Sequence, residues 1–198
     1  MLTIGITGGI GSGKTTVCRI FETLGIPVFY ADTAAKEIMI TDQLLISGIT
    51  AEFGPESYDA EGRLRTKHIA GIVFNQPDRL AVLNSLVHPA VFRAFDRWLA
   101  AVPAGVPYVM KEAALLFESG SDKACDRTVL VTAPEAVRIA RVMQRDGATA
   151  AQVQARIDKQ MSDAEKAGLA GDILLNDESQ SVIVQAYRLH QQFLKLSV

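Results

Sequence analysis

Eight residues near the start of the chain, Gly8-Gly9-Ile10-Gly11-Ser12-Gly13-Lys14-Thr15, follow the pattern G-x-x-x-x-G-K-T. The chemistry of that pattern is the holding of phosphate. Gly8, Gly11 and Gly13 lack a Cβ, so the backbone there can take angles closed to other residues and pass close to an anion. The N–H groups so freed turn inward, and the positive end of a following helix dipole reinforces them. A lysine at position 14 reaches the β- and γ-phosphates of a nucleotide, and the Thr15 hydroxyl reaches Mg²⁺. The spacing predicts a nucleotide site built from Gly9, Ile10, Gly11, Ser12, Gly13, Lys14, Thr15 and Thr16. The plain alternative is a glycine-rich turn that binds nothing, and the flanks speak against it. Residues 2–7 alternate as a short strand does, while Val17, Ile20, Phe21 and Leu24 recur at helical spacing until Gly25 stops them.

Two further groups of residues could do chemistry beside such a loop. Asp32 follows an apolar run, residues 26–30, that reads as a second buried strand. An acid just past the carboxyl end of a strand lies where α/β sheets hold ligands. It could equally cap the helix that Thr33 begins, and the two roles are compatible. Arg138, Arg141 and Arg145 are spaced i, i+3, i+7 and share one helical face. Glu135 can partner Arg138, but no acid stands three or four residues from Arg141 or Arg145 on that helix. Arg156 and Lys159 follow beyond a Gly147 hinge. Taken alone these are a solvated basic face. In a chain with a phosphate loop they predict a lid that excludes water and brings arginines to the transferring charge.

The elements that position these residues alternate between strands and helices. Strands are expected at residues 2–7, 26–30, 106–110, 127–131 and 172–175, with Lys111 and Glu112 at the carboxyl end of the third. A helix capped by Thr132 runs to Arg145, a second spans 149–161, and Ser162 caps a third. The last helix is expected to bury Val182, Ile183, Ala186, Tyr187, His190 and Leu194. Short apolar strands separated by helices mean a parallel sheet covered on both faces. Residues 42–102 read as helices throughout, with a break at His88-Pro89 because the residue before proline avoids the helical region. So long a helical stretch exceeds one crossover and predicts an inserted subdomain, in which Trp98 and the phenylalanines are core. The 198 residues, 48% apolar and 21% charged, suffice for a real core. A net charge of −2 lacks the basic excess that a nucleic-acid surface needs. Neither a secretory leader nor an apolar run of membrane-spanning length is legible, so the cytoplasm is expected. Cys18 and Cys125 form no C-x-x-C pair, and Cys18 reads as a small buried hydrophobe. His68, His88 and His190 are too scattered for a zinc site.

Over nearly its whole length the chain resembles the dephospho-coenzyme A kinase family. That family opens with I-G-L-T-G-G-I-G-S-G-K-S, and Ile4 to Thr15 reads I-G-I-T-G-G-I-G-S-G-K-T. Its A-D pair is Ala31-Asp32, its V-F and L-N-x-x-x-H-P are Val73-Phe74 and Leu83-Asn84 through His88-Pro89, and its L-L-F-E-S-G is Leu115 to Gly120. The lid pattern R-x-x-x-R-D-G then R-x-x-x-Q is Arg141, Arg145-Asp146-Gly147, Arg156 and Gln160; the closing A-D-x-x-x-N resembles Gly171-Asp172 through Asn176. Two departures stand out. The family's D-x-P-L-L is Glu112-Ala113-Ala114-Leu115-Leu116 here, and the arginine before V-F has only Arg65 or Lys67 as counterparts.

The resemblance implies a P-loop kinase: a five-stranded parallel sheet with flanking helices (core 1–32, 104–134 and 168–198), a helical acceptor-binding insertion (33–103) and a lid (135–167). It implies transfer of the ATP γ-phosphoryl group to the ribose 3′-hydroxyl of dephospho-coenzyme A, with Mg²⁺. Lys14, Arg141, Arg145 and Asp32 would be catalytic, Arg141 and Asn176 would touch ATP, and Thr15 with Glu112 would serve the metal. Acceptor contacts would come from Asp32, Arg65, His88 and Leu115, although His88 could instead shape the helix break. Neither nucleic acid nor membrane is an implied partner. Two rivals remain at this stage: a nucleoside-monophosphate-type kinase, and a nucleotide-dependent switch, for which D-x-x-G at 59–62 lies in a loop and N-K-x-D is lacking.

Overall fold

β1 (Leu2–Thr7) is the strand on which the fold turns in this computed structural model, which describes residues 1–74 and 76–197. It pairs in parallel with β3 (Tyr108–Glu112) on one side, Leu2 opposite Tyr108, and with β4 (Arg127–Thr132) on the other, Ile4 opposite Arg127. β2 (Val28–Tyr30) lies outside β3 and β5 (Asp172–Leu175) outside β4, giving the order β2-β3-β1-β4-β5. A parallel sheet is covered on both faces, so its central strands must be apolar on both. Ile4, Ile6, Val109, Met110 and Val129 to Val131 meet that demand, each wholly buried. α1 (Lys14–Thr23) and α9 (Val182–Leu196) complete the main core with Val17, Cys18, Phe21, Ala186 and Phe193. Between β4 and β5 run α6 (Glu135–Asp146), α7 (Ala150–Ile157) and α8 (Asp163–Leu169), the last two each opened by a capping box.

The chain divides into two compact units, Met1–Tyr30 with Val102–Val198, and Ala31–Ala101. The second is helical: α2 (Ala31–Thr41), α3 (Gln43–Phe53), α4 (Thr66–Val73) and α5 (Pro77–Ala100). It has its own core of Ile38, Leu45, Ile49, Phe53, Ile69, Leu83, Val87 and Ala90. Asp42 caps α3 by accepting from the Leu45 N–H at 3.0 Å and takes Arg93 of α5 at 3.2 Å. Its carboxyl is held below the ordinary carboxylate value, first by that backbone bond. Phe95 and Trp98 stack at 5.9 Å between ring centres.

Several expectations need correction. α5 runs through Pro89 without a break. Proline removes one N–H from a helix and crowds the carbonyl four residues earlier, but the buried face Leu83, Val87, Ala90 and Phe95 continues on both sides of it. Packing of that stripe holds the helix together, and His88 has no break to shape. β2 is shorter than expected and α2 starts at Ala31, so Asp32 stands within its first turn instead of ahead of it. β3 begins two residues late and takes Lys111 and Glu112 inside the strand, both buried. α7 stops at Ile157, four residues early. On α9, Ile183 and Tyr187 are 65% and 52% exposed, and the buried residues are Ala186, His190 and Phe193. That helix needs only a narrow stripe, and the sequence pattern overestimates its width.

Candidate active site

The phosphate loop lies between the end of β1 and the first turn of α1. Gly13 caps the helix in a left-handed conformation (φ 94°), which a side chain rarely tolerates, and a Cβ there would also meet the Asn176 amide. Gly9 is required for a different reason: a Cβ would collide with the Arg138 guanidinium. The loop is tied at each shoulder. The Ser12 N–H donates to the Gly9 carbonyl at 3.1 Å, the Asn176 side-chain amide donates to the Ser12 carbonyl at 2.8 Å, and Gln160 Oε1 accepts from the Ile10 N–H at 2.9 Å. Lys14 Nζ donates to the Gly8 carbonyl at 3.0 Å and lies 3.9 Å from Glu112 Oε1, with both side chains about nine-tenths buried.

Beside the loop opens a cleft of about 330 Å³ lined by Gly11, Gly13, Lys14, Thr15, Thr16, Arg19, Arg141, Val142 and Arg145. Four of those side chains are cations and none is an acid. α1 points its positive end at the same place. Such a cleft suits a polyanion.

Arg19 is a member that the sequence reading missed. Its signal was available, since Thr16 and Arg19 are three apart on α1 and so share a face.

The three arginines of α6 part company. Arg138 is buried in the first turn of α6, 3.4 Å from Asp163 Oδ1 and 3.8 Å from Glu135, and Asp163 also accepts from the Thr132 hydroxyl. Arg141 Nη1 donates to the Asn176 carbonyl at 3.1 Å. Arg145 is exposed and grips Asp146 through Nε at 2.7 Å and Nη2 at 3.1 Å, and Arg156 of α7 reaches the same carboxylate at 3.0 Å. Those bonds, Arg145's first, hold the Asp146 carboxyl below its ordinary value. The partner that Arg145 lacked at helical spacing is thus its own neighbour in sequence. Lys159 falls in the turn after α7, outside the residues that line the cleft.

Of the remaining expected residues, Thr15 is exposed at the head of α1, and Leu115 is 43% exposed in the loop after β3. Asp32, Arg65 and His88 belong to the helical unit. Asp32 is exposed, Arg65 sits at the N-cap of α4, and His88 is half-buried on α5, where burial lowers its imidazole pKa. Among the described residues, no group of three or more His, Cys, Asp or Glu side chains could hold a metal. Burial raises the Cys18 thiol above its ordinary value and pushes Cys125 up to about 11, so neither is a ready thiolate. No described helix is long and apolar enough to cross a membrane.

The sequence profile of the family described as CoaE, dephospho-CoA kinase, matches residues 2–181. The chain is 44% identical over 178 residues to a dephospho-CoA kinase of Salinibacter ruber, covering 89% of both chains. Among solved structures it is similar to TT1252 from Thermus thermophilus, at 36% identity, 96% coverage of each chain and a TM-score of 0.86. It is also similar to the dephospho-CoA kinase from Campylobacter jejuni, at 25% identity, 99% and 98% coverage and a TM-score of 0.72.

Proposed function

The chain belongs to the dephospho-CoA kinase family, and from that premise we propose how its residues carry the reaction. The reaction is transfer of the ATP γ-phosphoryl group to the ribose 3′-hydroxyl of dephospho-coenzyme A, giving coenzyme A and ADP in the last step of coenzyme A synthesis. The observation that supports these roles best is the cleft holding four cations and no acid at the head of α1.

Phosphoryl transfer asks the protein mainly for position and for charge stabilisation. Main-chain N–H groups of Gly11 to Thr15 cradle the triphosphate. Lys14 leaves its contact with the Gly8 carbonyl for the β- and γ-phosphates. Arg141 and Arg145 close from the lid, and Arg19 meets the nucleotide from α1. Asp32 accepts or orients the proton of the attacking hydroxyl, as a catalytic-base aspartate does. Arg65, His88 and Leu115 contact the acceptor, and Asn176 holds the loop and meets the nucleoside end of ATP. The enzyme works in the cytoplasm, with no nucleic-acid or membrane partner.

Mg²⁺ fits this donor set. The ion takes one or two carboxylates plus phosphate oxygens and keeps several waters, and it does not need an acidic cage. The Thr15 hydroxyl would hold it, and Glu112, whose carboxylate lies 3.9 Å from Lys14 Nζ, would support it directly or through water. When bound, the metal neutralises charge on the β- and γ-phosphates.

ADP release from ATP with dephospho-coenzyme A, AMP or other small alcohols as acceptor tests the reading. Selective turnover of dephospho-coenzyme A is expected. Preference for AMP would make the chain a nucleoside-monophosphate kinase, and tight GTP binding without transfer would make it a switch. Asp32→Asn separates base from binding group: the chemical step should fall much further than ATP affinity.

A further inference from the structure

Lys166 on α8 is wholly buried, an unusual place for an ammonium. Its Nζ lies 3.0 Å from Glu118 Oε1 and donates to the Ala114 carbonyl at 3.3 Å. Glu118 and Ala114 stand in the loop after β3. The same Ala114 carbonyl accepts from the Thr7 hydroxyl at 3.3 Å, one residue before the phosphate loop begins. The same Glu118 oxygen accepts from the Met161 N–H at 3.0 Å.

Met161 follows Gln160, whose side-chain oxygen takes the Ile10 N–H. Residues 160–166 are therefore a strap, fixed at Met161 and Lys166 to Glu118 and at Asp163 to Thr132 and Arg138.

Such a pair is a weak device for stability, because taking the Lys166 ammonium out of water offsets much of its attraction to Glu118, whose side chain is still 21% exposed. Two apolar residues of similar size would hold α8 in place as well. What the pair adds is direction: the carboxylate must sit where it serves the ammonium and the Met161 N–H together. That fixes the residue next to Met161. Ile10 lies just ahead of the Gly11–Thr15 amides proposed to cradle phosphate, so Gln160 steadies the entry of the loop without competing for those donors.

We propose that the Glu118–Lys166 pair is a positioning device for the phosphate loop, acting through Gln160 to set the Ile10 peptide and hence the affinity for nucleotide. The proposal rests on the phosphate-holding role of the loop. Should that role fail, Lys14→Ala would leave turnover and ATP binding intact, an outcome distinct from those below.

Gln160→Ala is expected to raise the KM for ATP about tenfold, the worth of one net hydrogen bond. The melting temperature and the kcat at saturating ATP should stay close to those of the unaltered enzyme. The double variant Glu118→Leu with Lys166→Met is expected to melt near the unaltered enzyme and still show the raised KM. Adding Gln160→Ala to it should raise KM no further, since residues acting in one chain of contacts are not additive. Glu118→Gln keeps an acceptor for both partners and should preserve KM. An unchanged KM in Gln160→Ala, a normal KM in the double variant, or multiplying effects in the triple variant would overturn the proposal. So would a KM in Glu118→Gln as high as in the double variant.

Discussion

The phosphate loop and the far end of α6 both line the cationic cleft, yet they are built in opposite ways. Around the loop, Lys14, Glu112, Arg138 and Lys166 are buried or nearly so, and the peptides of Gly9, Ile10 and Ser12 each have a named partner. On α6 and α7, Arg145 and Arg156 are half-exposed or more and share the one carboxylate of Asp146. A fixed cradle avoids reorganisation at the moment of reaction. A lid must exchange partners to open and close, and exposed pairs of about 0–1 kcal/mol are easy to exchange. Here buried charge surrounds the loop, while charges that satisfy one another at the surface lie on α6 and α7.

The largest effect should come from the loop. Lys14→Ala removes the one ammonium in the cleft and is expected to lower kcat by about 10²–10³-fold. A loss under tenfold would mean that the lid arginines carry the charge instead. Arg145→Ala is expected next, lowering turnover by about a hundredfold or more if the lid arginine faces the transferring group. Its melting temperature should barely move, because the pair with Asp146 is solvent-exposed. A large drop in melting would show the lid to be as rigid as the loop. Gly13→Ala should lower stability as well as turnover, with strain at a left-handed residue and a clash with Asn176 costing about 1–3 kcal/mol, seen in thermal unfolding.

The smallest effect is one of pH and belongs to the core behind the loop. His190 Nδ1 and the Tyr108 hydroxyl are 2.7 Å apart, and burial holds the imidazole pKa below its ordinary 6.5. The unfolded chain then binds more protons just below that value than the folded one does. Stability is thus complete at neutral pH and falls as pH drops through 6.5 toward the lowered value. His190→Gln should flatten part of that slope in melting curves between pH 5 and pH 7 without changing kcat at neutral pH.

How much of this was legible in the sequence follows the same division. The loop, the five parallel strands and the glycine that stops α1 are legible because backbone demands leave a short-range signature: glycine at fixed offsets, and apolar runs of strand length. The reach of α5 through Pro89 was not, since it depends on a buried stripe continuing beyond the local break. Spacing alone groups Arg138 with Arg141 and Arg145; only its burial against Gly9 separates it from Arg145. The strap of Glu118, Gln160 and Lys166 joins positions more than 40 residues apart in sequence, and local spacing does not register pairs so distant. Arg19 was legible and was overlooked.

The strand order has a consequence for how the molecule comes to exist. β1 and β2 are not neighbours; β3 lies between them and comes from beyond residue 107. During synthesis β1 and β2 can therefore complete the sheet only once β3 has been made. The segment 31–101, which has a core of its own, is free to collapse in the meantime. The phosphate loop springs from a strand whose two sheet neighbours, β3 and β4, both lie on the far side of that segment in the sequence.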